Sequence, residues 1–169
     1  MLKRLEAILK LLEGIKVPVG KTFIQKGIYF LQEGLKENLG YKFRLYIYGP
    51  YSNDLAGDID TLEDIGLIKV NYAPEGYGYL IKITPEGEDF LNKKLRKHSV
   101  PEEKIDKIIN LLGGKAVKKM ELLGTLLYFS RLSNNLQEIK QLVNIVKPRF
   151  SYNDIENGFN QLKKEEVIT

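Results

Sequence analysis

Few residues in this chain can do covalent chemistry, and they do not converge. There is no Cys, so disulfides, thiolate nucleophiles and Cys-type zinc sites are excluded. His98 is the single His and sits in the polar stretch Lys97-His98-Ser99, where a solvated imidazole is the plainer reading than a metal ligand. Asp58 and Asp60 put two carboxylates close together in sequence, but at that spacing they diverge around a helix, and paired carboxylates without a cleft are no active site. A phosphate-cradling G-x-x-x-x-G-K-[ST] loop, a nucleophile elbow and a His cluster are all missing. The expectation is a non-enzyme with no catalytic residue, no metal and no cofactor.

Binding chemistry is better represented. The stretch between Ser52 and Gly66 reads as a helix carrying Asp54, Asp58, Asp60, Glu63 and Asp64 with no Lys or Arg. A helix that enters a DNA groove needs Arg, Lys, Asn or Gln for bases and phosphates, and negative side chains there repel the backbone. The acids therefore make either a solvated face or a docking face for a basic protein. Seven of the ten Tyr (41, 46, 48, 51, 72, 77 and 79) fall between residues 41 and 79. Tyr suits contact surfaces because it is amphipathic and has few rotamers to freeze; cross-strand packing in a small sheet is the alternative. Tyr48, Tyr51, Tyr77 and Tyr79, with Asp54 and Asp58, are the candidate partner-binding residues. Candidate nucleic-acid contacts are Arg44, Lys69 and Lys82 in the first half and Lys115, Lys118 and Lys119 in the second, a cluster joined by Lys147 and Arg149 that otherwise reads as a solvated face. Gln25, Lys26 and Tyr29 share one turn of an otherwise apolar helix, either bonding backbone in the core or meeting the Tyr48-Gly49-Pro50 turn.

The elements that must position these residues follow from periodicity. Leu2, Leu5, Ile8, Leu9 and Leu12 recur at helical spacing over residues 2–13, with Gly14 as the stop and Val17-Pro18-Val19-Gly20 as a connector. Phe23, Ile24, Ile28, Phe30, Leu31 and Leu35 predict a second helix over 21–34 with an apolar face wide enough to pack on more than one side. Residues 42–48 alternate and predict a strand, halted at Gly49-Pro50 because Pro lacks an N–H. Ser52 caps the acidic helix and Gly66 closes it. Residues 67–72 and 77–83 predict a hairpin, and Thr84-Pro85 restarts a helix that runs to about residue 96. Beyond a linker at 98–103, four helices are expected at 101–112, 115–132, 135–146 and 152–166, the last capped by Ser151. Leu62-Glu63-Asp64-Ile65-Gly66-Leu67-Ile68 echoes Leu162-Lys163-Lys164-Glu165-Glu166-Val167-Ile168; either a second, wingless helix-turn-helix unit or chance similarity of amphipathic helices accounts for it.

Residues 67–91, a Gly-Leu-Ile, a hairpin and Ile83-Thr84-Pro85-Glu86-Gly87 leading to Phe90-Leu91, resemble the end of winged-helix domains. Lys21-Thr22-Phe23-Ile24-Gln25-Lys26, followed by Tyr48-Gly49-Pro50-Tyr51-Ser52 and the acidic helix, resembles the YwgA-like family. It is more distantly similar to the Panacea (SocA-like) antitoxin domains, with their K-L-Q-K helix and Y-G-P turn. The match covers about residues 20–92, and its first motif is a loose form of K-L-Q-K. The Panacea resemblance implies an antitoxin or adaptor that holds other proteins.

At 169 residues and a net charge of +4, the chain has the size and composition of a globular protein. All of that surplus lies in residues 96–169, since residues 1–95 carry equal numbers of acidic and basic side chains. Such a surplus permits nucleic-acid binding without arguing for it. No apolar run approaches the roughly 20 residues that span a bilayer, so no membrane partner and a cytoplasmic location are expected. Lys- and Glu-rich, Cys-free composition is also of the kind thermophilic proteins carry. The expected architecture is mainly α with a small β-sheet (α+β): a winged-helix domain over 1–97 and a helical domain over 98–169. The expected function is a regulatory or adaptor protein acting through protein contacts. The alternative is a DNA-binding transcriptional regulator using the wing lysines and the second half, with a homodimer as one arrangement.

Overall fold

The computed structural model describes residues 1–73, 78–95 and 100–169. It is mainly helical with a small amount of antiparallel sheet, as the α+β expectation has it. Helix α1 (Leu2–Ile15) buries Leu5, Ile8, Leu9 and Leu12 of the pattern that predicts it, while Leu2 at its first turn is exposed. It runs past Gly14, and Lys16 rather than glycine takes the left-handed conformation that ends it, at φ 60°. The connector that follows holds a short strand, β1 (Val19–Gly20). Helix α2 (Lys21–Tyr29) continues through one π turn to Gly34. Its residues from Phe23 to Leu31 are all buried, because α1 and residues 49–51, 102–112 and 117–130 close around it.

The segment read as a single strand over 42–48 is a tight hairpin instead. Strand β2 (Arg44–Tyr46) turns at Ile47-Tyr48 and returns as β3 (Gly49–Tyr51), with Leu45 opposite Pro50. Pro50 does not stop the strand, since a two-stranded ribbon has an edge where a missing N–H costs no ladder bond. Helix α3 (Asn53–Asp64) follows at once. The Ser52 hydroxyl accepts from the Leu55 amide at 3.3 Å, and Leu55, Ile59 and Leu62 face the core. Strands β4 (Ile68–Ala73) and β5 (Gly78–Ile83) pair in register from Ile68–Ile83 to Ala73–Gly78. β1 adds to the other edge of β5 through Val19–Ile81 and Gly20–Leu80, giving the sheet order β1-β5-β4. Helix α4 (Pro85–Phe90) starts at Thr84, whose hydroxyl accepts from the Gly87 amide, and ends in a π turn to Leu95.

The second half is helical: α5 (Glu102–Leu112), α6 (Val117–Ser130), α7 (Leu136–Val146) and α8 (Tyr152–Lys164). Asn135 caps α7, and Ser151 with Asp154 forms a reciprocal capping box on α8. One buried apolar cluster spans both halves, with Ile8, Ile24 and Ile28 continuing into Ile108, Leu123, Leu126 and Ile155. A buried polar tie supports the junction. Lys10 donates to the Val100 carbonyl at 2.6 Å and sits 3.1 Å from Glu6, which accepts from the Val100 amide at 2.9 Å. The two echoing heptads end their helices alike. The Leu67 amide donates to the Leu62 carbonyl and the Val167 amide to the Leu162 carbonyl, both at 2.9 Å, with Gly66 and Glu166 left-handed.

Candidate partner-binding site

Two polar side chains of α2 meet β3 and the residue that follows it. Gln25 donates to the Ser52 carbonyl at 3.0 Å and accepts from the Ser52 amide at 2.9 Å, so one amide side chain mimics a strand partner for the residue that caps α3. Lys26 donates to the Pro50 carbonyl at 2.7 Å although it is only 2% exposed. Burial lowers its pKa to about 8 against the opposing pull of the Glu121 carboxylate, and Lys147 lowers it further. Close approach makes this bonding reach. Gly49 has φ +85°, and a Cβ there would lie 3.2 Å from both the Glu121 carbonyl oxygen and the Lys26 side chain. Across from it, Gly124 of α6 leaves room for the Pro50 ring and the Lys26 stem.

The hairpin is held from its other side by the second half. Lys147 donates to the Tyr46 carbonyl at 3.0 Å and to the Ile47 carbonyl, and lies 3.1 Å from the fully buried Glu121. Arg149 forms a second ion pair with the same carboxylate. Two buried lysines and the groups around them thus hold the Tyr46, Ile47 and Pro50 carbonyls of an eight-residue ribbon whose tip faces solvent. Tyr46, Ile47 and Tyr48 are 62%, 69% and 54% exposed. Tyr46 leans on Tyr51 with ring centroids 5.6 Å apart. Beneath the tip is a cavity of about 430 Å³ whose walls include Thr22, Gln25, Lys26, Tyr48 and Tyr51.

The remaining sequence candidates scatter around this feature. Asp54 is exposed at the start of α3, in a shallow depression with Arg44 and Tyr51. Asp58 is turned inward: its carboxylate accepts from the Tyr41 hydroxyl at 2.6 Å and pairs with Arg4 at 2.9 Å, while the Arg4 guanidinium lies 4.0 Å over the Tyr41 ring. The acids of α3 left facing solvent are Asp54, Asp60, Glu63 and Asp64. Tyr79 is 56% exposed on β5, opposite the exposed Tyr72 and edge-to-face with it at 5.6 Å, so it pairs across strands and faces solvent at once. Tyr77 and His98 lie outside the described residues. Lys69 and Lys82 are exposed and directly opposed on β4 and β5. Lys115, Lys118 and Lys119 sit at the start of α6, where burial and the neighbouring Lys115 lower the pKa of Lys119. Arg44 lies on β2, in the other sheet.

Sequence reasoning missed Ile47, Lys147, Glu121 and Gly124. Glu121 carried a readable signal, an acid within the apolar run 120–127; Lys147 looked like one more surface cation. Among the described residues, no group of three or more His, Asp or Glu side chains is placed to hold a metal ion, and no helix is long and apolar enough to cross a membrane. No protein-family profile matches the chain. The chain is 27% identical to the uncharacterized protein YwgA of Bacillus subtilis (strain 168) over 158 residues, which span 92% of this chain and 91% of that protein, a similarity that supports a YwgA-like family.

Proposed function

We propose that this protein is a regulatory or adaptor module, built on a winged-helix framework, that docks a protein partner through the β2–β3 hairpin. The helix and strand order α1-β1-α2-α3-β4-β5, with β1 on the outer edge of β5, supports the winged-helix reading. The β2–β3 ribbon lies between α2 and α3. The observation that carries the function is the exposed run Tyr46-Ile47-Tyr48 on a ribbon pinned by Lys26 and Lys147. Three successive large apolar side chains in water are unfavourable in a free monomer, and contiguous exposed patches of this kind mark contact sites. Pinning the ribbon's carbonyls removes the ordering cost that a loose loop would bear on binding. Asp54 beside it, and the other exposed acids along α3, favour a basic protein over duplex DNA. An antitoxin-like role rests on analogy with the Panacea domains through the Lys21–Lys26 and Tyr48-Gly49-Pro50 motifs.

The test is affinity capture from a lysate of the source cells with wild type, Ile47→Asp/Tyr48→Ala and Asp60→Lys as baits, each checked for an unchanged thermal melt. The hairpin variant loses a partner that wild type retains, and Asp60→Lys weakens the same partner. If the hairpin variant keeps every partner, or wild type binds generic duplex DNA with a steep salt dependence, the reading fails.

A further inference from the structure

A second concavity, of about 520 Å³, opens where the two halves meet: the α1–α2 connector forms one wall, β5 another and the α5–α6 connector the third. Its volume falls within the range of small-ligand sites. Ile15, Leu112, Val117 and Met120 supply an apolar floor and flank, and Val17, Tyr79 and Val117 are 57%, 56% and 46% exposed around it. Among the described residues, the charged ones that line it are Lys21 and Lys115, with no Asp or Glu. Lys21 has a distant partner in Asp60 at 3.9 Å. Lys115 is exposed and makes no ion pair among the described residues; the neighbour that senses its charge is another cation, Lys119. The starts of α2 and α6 also border the cleft, and neither has an acid in its first turn.

An apolar trough with cations at its edge and no anion fits one class of ligand. We propose that this cleft binds a small amphipathic anion, an apolar body bearing a single carboxylate, with the body against Leu112, Val117 and Met120 and the carboxylate between Lys115 and Lys21. The apolar part supplies affinity by leaving water, and the two ammonium groups select the sign of the head group. This inference is independent of the hairpin, because the cleft shares with the hairpin cavity only Lys21 and Thr22.

The probe is decanoate below its micelle concentration, titrated into the full chain by calorimetry and by amide shifts in ¹H–¹⁵N spectra, beside decanol and decyltrimethylammonium. Decanoate shifts the amides of residues 20–23 and 115–120, and binds at least about tenfold tighter than either of the other two, the ratio expected when an ion pair of about 1.4 kcal/mol is present in one case only. Lys115→Glu, a surface change, weakens decanoate about tenfold and leaves decanol unchanged. Val117→Asp weakens decanoate and decanol together. The proposal is overturned if decanoate moves no cleft amide at millimolar concentration, if the cationic amphiphile binds as well as decanoate, or if Lys115→Glu binds decanoate like wild type. It is equally overturned if sedimentation shows the cleft filled by a second copy of the chain, with a dimer that Val117→Asp dissociates.

Discussion

Lys26 offers the sharpest test of how the hairpin is held. Its ammonium is buried, and its folded pKa of about 8 lies below the ordinary lysine value of 10.5. Between those values the unfolded chain binds a proton that the folded chain has released, so stability rises with pH across the window and the penalty is complete below pH 8. At 1.36 kcal/mol per pKa unit, the charged form costs the fold about 3 kcal/mol at pH 7, and about 2 kcal/mol of that is recovered by pH 9.5. Lys26→Met keeps the length of the side chain and removes the titration. Glu121 retains Lys147 and Arg149 as partners, so the variant does not strand a bare carboxylate. The absolute stability of Lys26→Met depends on the Pro50 carbonyl it orphans, but its pH dependence does not. Urea unfolding followed by far-UV circular dichroism at pH 7, 8, 9 and 9.5 gives both curves. Wild type gains on the variant by about 2 kcal/mol from pH 7 to pH 9.5. The window stops short of pH 10 because Tyr29 and Tyr41, whose pKa values burial raises, begin to withdraw stability as the unfolded tyrosines ionise. Parallel curves for wild type and variant refute the assignment of Lys26 as a desolvated cation.

Two backbone predictions accompany it. Gly49→Ala costs about 1–3 kcal/mol in urea unfolding, whereas Gly40→Ala, at a similar φ of +77° with nothing within 4 Å of its Cβ, costs less; equal losses would show that the approach of α6 to the hairpin is not what Gly49 serves. At the echoing helix ends, Glu166→Gly raises stability by about 0.5–1 kcal/mol and Gly66→Ala lowers it by a similar amount, because each position is left-handed and only one carries glycine.

Periodicity made the helices legible. Leu5, Ile8, Leu9 and Leu12, or Leu55, Ile59 and Leu62, have no buried arrangement other than one helix face, and Ser52, Thr84 and Ser151 mark their starts. The hairpin at 44–51 was not legible. Pro50 in a run of strand-forming residues reads as a stop, and only the absence of a neighbour on its N–H side turns it into an edge residue. Val19–Gly20 is too short for a pattern and is a strand solely because β5 offers an open edge. The candidate site was half visible. Tyr48 is exposed at the hairpin tip, but Tyr51 is half-buried, and Asp58 is engaged by Arg4 of α1 and by Tyr41 of the segment before β2. Side chains that bond distant backbone leave no periodic trace, which is why Lys147 passed for a surface cation.

The same bonds bear on why the hairpin is built as it is. A ribbon of two three-residue strands is not stable alone. Here it is secured by Lys26 from α2 below, which bonds the Pro50 carbonyl, and by Lys147 from the α7–α8 connection beside it, which bonds the Tyr46 and Ile47 carbonyls. Both lysines are desolvated to do so, and a buried ion pair seldom repays that cost in stability alone. Apolar residues at these positions would pack against the ribbon without fixing its carbonyls, and the Tyr46-Ile47-Tyr48 tip would then move. What the charges secure is position: an apolar tip held in one place in water. A surface that costs stability both to hold and to expose is what the proposed docking function requires.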